Sequence, residues 1–196
     1  SGDLLALLDE HAPPDCGRQA GAAMNASIII PAHNAGDTLP ACLAALKRQT
    51  ASERVLEVLV VDDGSMDNTV PIARNYQATI LKNGAKSIER GKSIGIAHAK
   101  GELLLFVDAD NQLPNKDWLL QTVAAFLKNP EAIGAESIWF EYRPNRPTSD
   151  RYCQLFGIND PFPFYLKRQD RLMFGEKKWN LGGEILTETP HYYLVQ

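Results

Sequence analysis

Three times between residues 27 and 110, a short apolar run stops abruptly on a polar cluster. Ser27 to Pro31 runs into Ala32-His33-Asn34, Val55 to Val61 into Asp62-Asp63-Gly64-Ser65, and Glu102 to Val107 into Asp108-Ala109-Asp110. Runs this short, rich in Ile, Val and Leu, suit buried strands better than helices. Ala78 to Leu81 reads as one more strand, and Ile133 to Phe140 is strand-like. Between the strands lie helical patterns. One opens at Gly36-Asp37 and runs through Arg48, with Leu39, Leu43 and Leu46 on one stripe. A second reaches Tyr76, and its Pro71 must sit in the first turn or cause a kink. A third spans Ser87 to Ala99 despite two glycines, and a fourth Lys116 to Lys128. Such alternation implies an α/β domain with a mostly parallel, Rossmann-like sheet flanked by helices.

In sheets of this kind ligands bind beyond the carboxyl ends of the strands, where the three polar clusters lie. Asp108 and Asp110, at i and i+2 after a strand, can turn both carboxylates toward one hard cation such as Mg²⁺ or Mn²⁺. An acidic turn capping the next element is the plainer alternative. An EF-hand fits poorly, because Leu113 stands where that loop needs glycine. At the second cluster Gly64 allows the turn, and Ser65 or Asp67 can cap the next helix. One aspartate can accept from a base N–H or a ribose hydroxyl; the plainer reading, a carboxylate that only ties the loop and helix start, suits Asp62 better than Asp63. Asn34 suits a side-chain bond to its own loop, and a lone His33 is usually structural. Glycine is costly inside a helix, so Gly91 and Gly95 imply a close approach of backbone or ligand. Lys92 between them either faces a phosphate or is a solvated helix charge.

The net charge of −4 provides no global electrostatic reason to bind nucleic acid. Cys16, Cys42 and Cys153 have neither metal-ligand nor disulfide spacing, which fits a reducing compartment. No apolar run is long enough to span a bilayer, and no secretory leader is visible. The expectation is a soluble, cytoplasmic chain.

Taken in order, Ser27-Ile-Ile-Ile-Pro-Ala-His-Asn34, Val60-Val-Asp-Asp-Gly-Ser-Met-Asp67 and Gly101-Glu-Leu-Leu-Leu-Phe-Val-Asp-Ala-Asp110 resemble the successive signatures of family 2 glycosyltransferases. The resemblance covers roughly residues 26 to 135 and implies the GT-A fold. It implies a UDP- or GDP-sugar donor, with Pro31, Ala32, His33 and Asn34 lining the nucleoside pocket and Asp63 contacting the base. It places Asp108 and Ala109 beside the ribose and diphosphate, with Asp110 as direct ligand of Mn²⁺ or Mg²⁺ and Asp108 assisting. Lys92 stands where the family usually has arginine near the base or phosphates, and Ser93 where it has asparagine. The implied reaction transfers the sugar with inversion to a glycan or lipid acceptor, and a carboxylate acts as general base.

The implied organisation is an N-terminal extension over 1–25, the nucleotide-sugar-binding part over 26–140 and a partial acceptor-side region over 141–196. The last region carries many prolines and aromatics with little periodicity. It lacks the family's usual acidic pair and Gln-x-x-Arg-Trp-like signature. Asp160 and Glu184 lead the candidates for the base, ahead of Asp170 and Glu188. The aromatic segment Asn159 to Tyr165 leaves room for peripheral contact at the inner membrane face, though no strongly basic helix supports it. The chain therefore also fits a truncated or degenerate module that holds nucleotide sugar without turnover. A sugar nucleotidyltransferase fits less well, since Pro31-Ala-His-Asn34 is not a glycine-rich phosphate loop.

Overall fold

The computed structural model describes residues 24–113, 115–137, 144, 145, 148, 151, 155, 172, 175, 184–189 and 193–196. The chain divides into two units, Ser1–Pro130 and Glu131–Gln196. Residues 3–10, whose sequence reads as a short amphipathic helix, lie outside the described residues, as do Cys16, Cys153, Asp160 and Asp170.

The first unit holds four strands, β1 (Ala26–Ala32), β2 (Val55–Asp62), β3 (Thr79–Lys82) and β4 (Leu103–Phe106). They form one parallel sheet in the order β3-β2-β1-β4. In its register Ile30 pairs with Val60, Ala32 with Asp62 and Ile28 with Leu105. Central β1 is covered on both faces, so Ile28, Ile29 and Ile30 are all fully buried. Each such side chain contributes about 1.5–3 kcal/mol relative to exposure.

Four helices flank the sheet: α1 (Leu39–Lys47), α2 (Thr69–Asn75), α3 (Ile88–His98) and α4 (Trp118–Lys128). The main core gathers Ile28, Ile30, Val60, Leu103 and Leu105 with Leu39, Leu43 and Leu46 of α1, Ala73 of α2, and Leu119 and Val123 of α4. The opposite face is thinner, with Ile29, Leu59 and Val61 meeting Ile94 of α3. Here Gly95 is required by packing, because a Cβ on it would stand 2.3 Å from Ile29 Cγ2. Ile29 is fully buried and β-branched, so it cannot yield cheaply.

Element ends move slightly from expectation. Residues 36–38 form a turn, with the Thr38 and Leu39 amides both donating to the Ala35 carbonyl, so α1 begins at Leu39. Ser87 caps α3, its hydroxyl accepting from the Arg90 amide at 3.3 Å. The strand expected over Ile133 to Phe140 does not form across its described part, residues 133–137. Ile133 is fully exposed, and without a pairing partner an apolar run has no reason to extend. In the second unit Ile185–Glu188 (β5) and Tyr193–Val195 (β6) form an antiparallel pair that the sequence pattern did not announce. Runs of three and four residues are too short for alternation to register.

Candidate functional site

The exits of β1 and β2 lie side by side because their strands pair in register up to Ala32 and Asp62. The Asp63 amide continues the ladder, donating to the Ala32 carbonyl at 2.9 Å. Beyond it the two loops are laced by side chains. The Asn34 amide donates to Ser65 Oγ at 2.9 Å, and Asn34 Oδ1 accepts from the Met66 amide at 2.9 Å. The Ala35 amide donates to Thr69 Oγ1 at 2.7 Å and the Gly36 amide to Asp67 Oδ2 at 2.8 Å. Left-handed backbone at Asn34 (φ 48°) and Gly64 (φ 77°) makes the two turns.

His33 belongs to this lacing. Its Nδ1 lies 3.0 Å from the Asp63 carbonyl and its Nε2 3.1 Å from Asn34 Nδ2. Because Asn34 Oδ1 is committed to Met66, the amide NH₂ is what faces His33. The contacts are satisfied when Nδ1 donates to the Asp63 carbonyl and Nε2 accepts from Asn34, so both ring nitrogens are occupied. Pro31, half-buried, and buried Ala32 complete the end of β1.

The three aspartates at the β2 exit differ in duty. Asp62 is buried and accepts from the Ser65 amide at 3.2 and 3.4 Å, as a loop tie should. Asp67 accepts from the Thr69 hydroxyl and amide as well as from Gly36. The Thr69 hydroxyl, then the Thr69 amide, hold its carboxyl below the usual range. Asp63 is half-buried, and its Oδ1 accepts from the Lys86 amide at 2.9 Å.

Asp108, Ala109 and Asp110 follow one residue, buried Val107, after β4, and the Asn111 amide closes their turn on the Asp108 carbonyl at 2.9 Å. Both carboxylates are exposed, and among the described residues neither has a hydrogen-bond or ion-pair partner. Beneath them sits buried Cys42 of α1, whose thiol donates to the Asp108 carbonyl at 3.8 Å. Burial, then the charges of Asp110 and Asp108, push that thiol up to about 12, so it stays protonated and unreactive near neutral pH. No group of three or more His, Cys, Asp or Glu among the described residues is arranged to hold a metal. Two open carboxylates still suit a cation that takes its remaining ligands from water and substrate phosphates, as Mg²⁺ commonly does.

Lys92 projects from α3 with its ammonium 6.0 Å from the Phe106 ring centroid, at the outer limit of a cation–π contact. Glu184 belongs to the second unit, where its backbone pairs with Gln196 in both directions. Two residues that shape the site escaped the sequence reading. Asn83 is buried, accepts from the Ala85 amide at 3.2 Å and donates to the Ser87 carbonyl at 2.8 Å, so the β3–α3 loop is built around it. Lys86, held at φ 49°, then delivers its amide to Asp63. The Asn83-Gly84 pair after a strand was the available signal, since it marks a structured turn.

A parallel α/β sheet with paired loops and an open acidic pair at its carboxyl edge defines the class, a GT-A-type domain. The chain belongs to glycosyl transferase family 2, whose profile matches residues 27–187. It is 29% identical to the glycosyltransferase AglE of Haloferax volcanii over 132 residues, which is 64% of this chain and 43% of AglE. It is 39% identical to the glycosyltransferase YibD of Escherichia coli K12 over 106 residues, 50% of this chain and 30% of YibD. The chain thus spans less than half the length of these relatives. Among solved structures it resembles S. aureus TarS 1-349 in complex with UDP-GlcNAc, with 27% identity and a TM-score of 0.52 over 64% of this chain and 37% of that one. The mannosyltransferase PcManGT from Pyrobaculum calidifontis, in complex with GDP-Man and Mn²⁺, shares the fold at 21% identity with a TM-score of 0.51, over 79% of this chain and 44% of that one. Among the described residues no helix is long and apolar enough to cross a membrane.

Proposed function

We propose that the chain carries the donor site of a metal-dependent, inverting glycosyltransferase that takes its sugar from UDP or GDP and delivers it to a glycan or lipid acceptor at the cytoplasmic side of a membrane. The observation that carries this reading is the pair of exposed carboxylates, Asp108 and Asp110, which have no partner among the described residues, at the sheet edge that also bears the laced loops. The likeness to TarS, solved with UDP and with UDP-GlcNAc, supports a nucleotide-sugar donor.

Each residue then has a chemical task. Pro31, Ala32 and the face of His33 wall the nucleoside, with Asn34 holding that wall in place. Asp63 accepts from the base, and Ala109 lets the ribose lie close to the turn. Asp110, assisted by Asp108, holds Mn²⁺ or Mg²⁺, and Lys92 supplies charge for a phosphate. When bound, the cation supplies Lewis-acid neutralisation for the departing diphosphate. The acceptor oxygen attacks the anomeric carbon from the side opposite the diphosphate. The bond to the phosphate oxygen breaks, that oxygen keeps the electron pair, and a carboxylate takes the acceptor's proton. Asp160 and Glu184 are the candidates for that base.

A second reading, a module that binds donor without turning it over, is favoured by the missing acidic pair and Gln-x-x-Arg-Trp-like signature over residues 141–196. Calorimetric titration of UDP- and GDP-sugars with and without Mn²⁺, alongside measurement of donor consumption, tests both. Binding that needs Mn²⁺ is expected. Consumption with acceptor supports the enzyme, and binding without consumption supports the module. Absence of binding to every donor would refute the assignment of the site.

A further inference from the structure

We propose that Gln49 and Thr50, just past the C-terminal end of α1, are positioning residues for the acidic turn: by holding the chain that follows Asp110 they fix where its two open carboxylates stand. The inference rests on the reading of the strand edge as a metal and nucleotide-sugar site. Asp108 and Asp110 have no side-chain partner among the described residues, so backbone anchors on either side must set their place. On the β4 side the amide of buried Val107 donates to the Ile29 carbonyl at 3.1 Å, and the Cys42 thiol donates to the Asp108 carbonyl.

On the other side Asn111-Gln112-Leu113-Pro114 leads away from the turn. Among the described residues, the first long-range hydrogen bonds beyond it come from Gln49 and Thr50. Gln49 is only 4% exposed, and its amide group makes three bonds. Its Nε2 donates to the Asn115 carbonyl at 2.8 Å and to the Ala45 carbonyl at 3.3 Å, and its Oε1 accepts from the Leu119 amide at 2.9 Å. That amide lies in the first turn of α4, where the helix offers no acceptor of its own. Asp117 makes no side-chain cap to α4, so Gln49 supplies the acceptor from another element. The Asp117 carboxylate is taken instead by Thr50, whose hydroxyl donates to Oδ1 at 2.7 Å while its amide donates to the Lys116 carbonyl at 2.8 Å.

Capping α4 alone would need only the Gln49 oxygen. The bonds to Asn115, Lys116 and Asp117 hold three consecutive residues of the loop that leaves the acidic turn. The same helix also reaches the nucleoside side, where the Thr38 and Leu39 amides at its start donate to the Ala35 carbonyl, next to Asn34. α1 is therefore a strut with the β1-exit loop at one end, Asp108 at its middle and the chain beyond Asp110 at the other. A ligand on a loose chain loses conformational entropy when it closes on a cation. Partners that hold metal ligands in place commonly carry about 10–100-fold of metal affinity.

The test compares Gln49→Met, Thr50→Val and Thr50→Ser with the parent chain in two measurements. Hydrogen–deuterium exchange of the metal-free protein reads whether residues 108–117 are held, and calorimetric titration of Mn²⁺ at a fixed UDP concentration reads what that hold does. Thr50 is exposed, so Thr50→Val removes the bond to Asp117 and keeps the test open should Gln49→Met fail to fold. Exchange over 108–117 is expected to quicken about threefold or more in Gln49→Met and Thr50→Val. The apparent Mn²⁺ affinity is expected to fall about tenfold in Gln49→Met and about threefold in Thr50→Val. Thr50→Ser keeps the hydroxyl and should restore both readouts. A lower melting temperature with Mn²⁺ affinity unchanged would reduce both residues to scaffold and overturn the inference while leaving the nucleotide site standing. A loss that Thr50→Ser does not restore would do the same. A parent chain that takes up no Mn²⁺ with UDP would overturn the metal site and this inference together.

Discussion

The loops that leave β1 and β2 and the turn that leaves β4 sit on the same edge of one sheet and share the same acidic chemistry, yet they use it in opposite ways. At the β2 exit Asp62 and Asp67 accept from the backbone amides of Ser65, Thr69 and Gly36, and Asp63 gives one oxygen to Lys86. At the β4 exit Asp108 and Asp110 accept from nothing among the described residues and face solvent. A carboxylate bound to amides has its negative charge compensated and fixes a loop. One left open retains its full attraction for a cation. The difference separates carboxylates that fix the loops from carboxylates that remain open to a ligand, and residue type alone does not reveal it.

The contrast is sharpest in its largest expected effect. Asp110→Ala should weaken Mn²⁺-dependent nucleotide binding by about 100-fold or more. Its melting midpoint should stay within about 2 °C of the parent, because no intramolecular bond is lost. A large fall in melting temperature would show that the β4 turn is structural after all. Asp62→Ala should do the reverse, costing about 1–3 kcal/mol in denaturant unfolding as the half-buried Ser65 amide loses its acceptor. An unchanged midpoint would break the contrast from the other side.

The smallest effect concerns Asp67. Its folded-state proton affinity is lowered by the Thr69 hydroxyl and the amides around it. Its contribution to stability is therefore fully present above the ordinary carboxylate value near 3.9 and is lost as pH falls through the lower folded value. Asp67→Asn should flatten the dependence of stability on pH below about 4, measured as denaturation midpoints across that range. An identical slope would mean that Asp67 and its amides are not coupled in solution.

Much of this edge was legible in advance. Ile28, Ile29 and Ile30 announce a strand buried on both faces, and the polar stops after β1, β2 and β4 mark where a site must lie. Asp62 as a tie was legible too, because an aspartate opening a turn usually bonds its own loop. The pairing of Asn34 with Ser65 and Met66 was not, since it joins residues brought together only when β1 and β2 align. Gly95 was legible as a close approach, but Ile29 as its neighbour appears only when α3 lies on the sheet. Ile133 misled because an apolar run predicts a strand only where another strand is there to pair with it.

The sequence by itself determined the alternation of strands and helices, the edge where the polar clusters gather, and the family to which the chain belongs. These are encoded locally, in runs of a few residues whose periodicity and end signals need no distant partner. The tertiary structure alone decided which carboxylates are spent and which remain open, and that His33 offers a face rather than an edge. It also showed that the amide of Lys86 claims one oxygen of Asp63. Hydrogen bonds between loops depend on strand register and turn geometry. Both arise only when the sheet assembles, and so which polar groups are left open at this edge is a property of the fold.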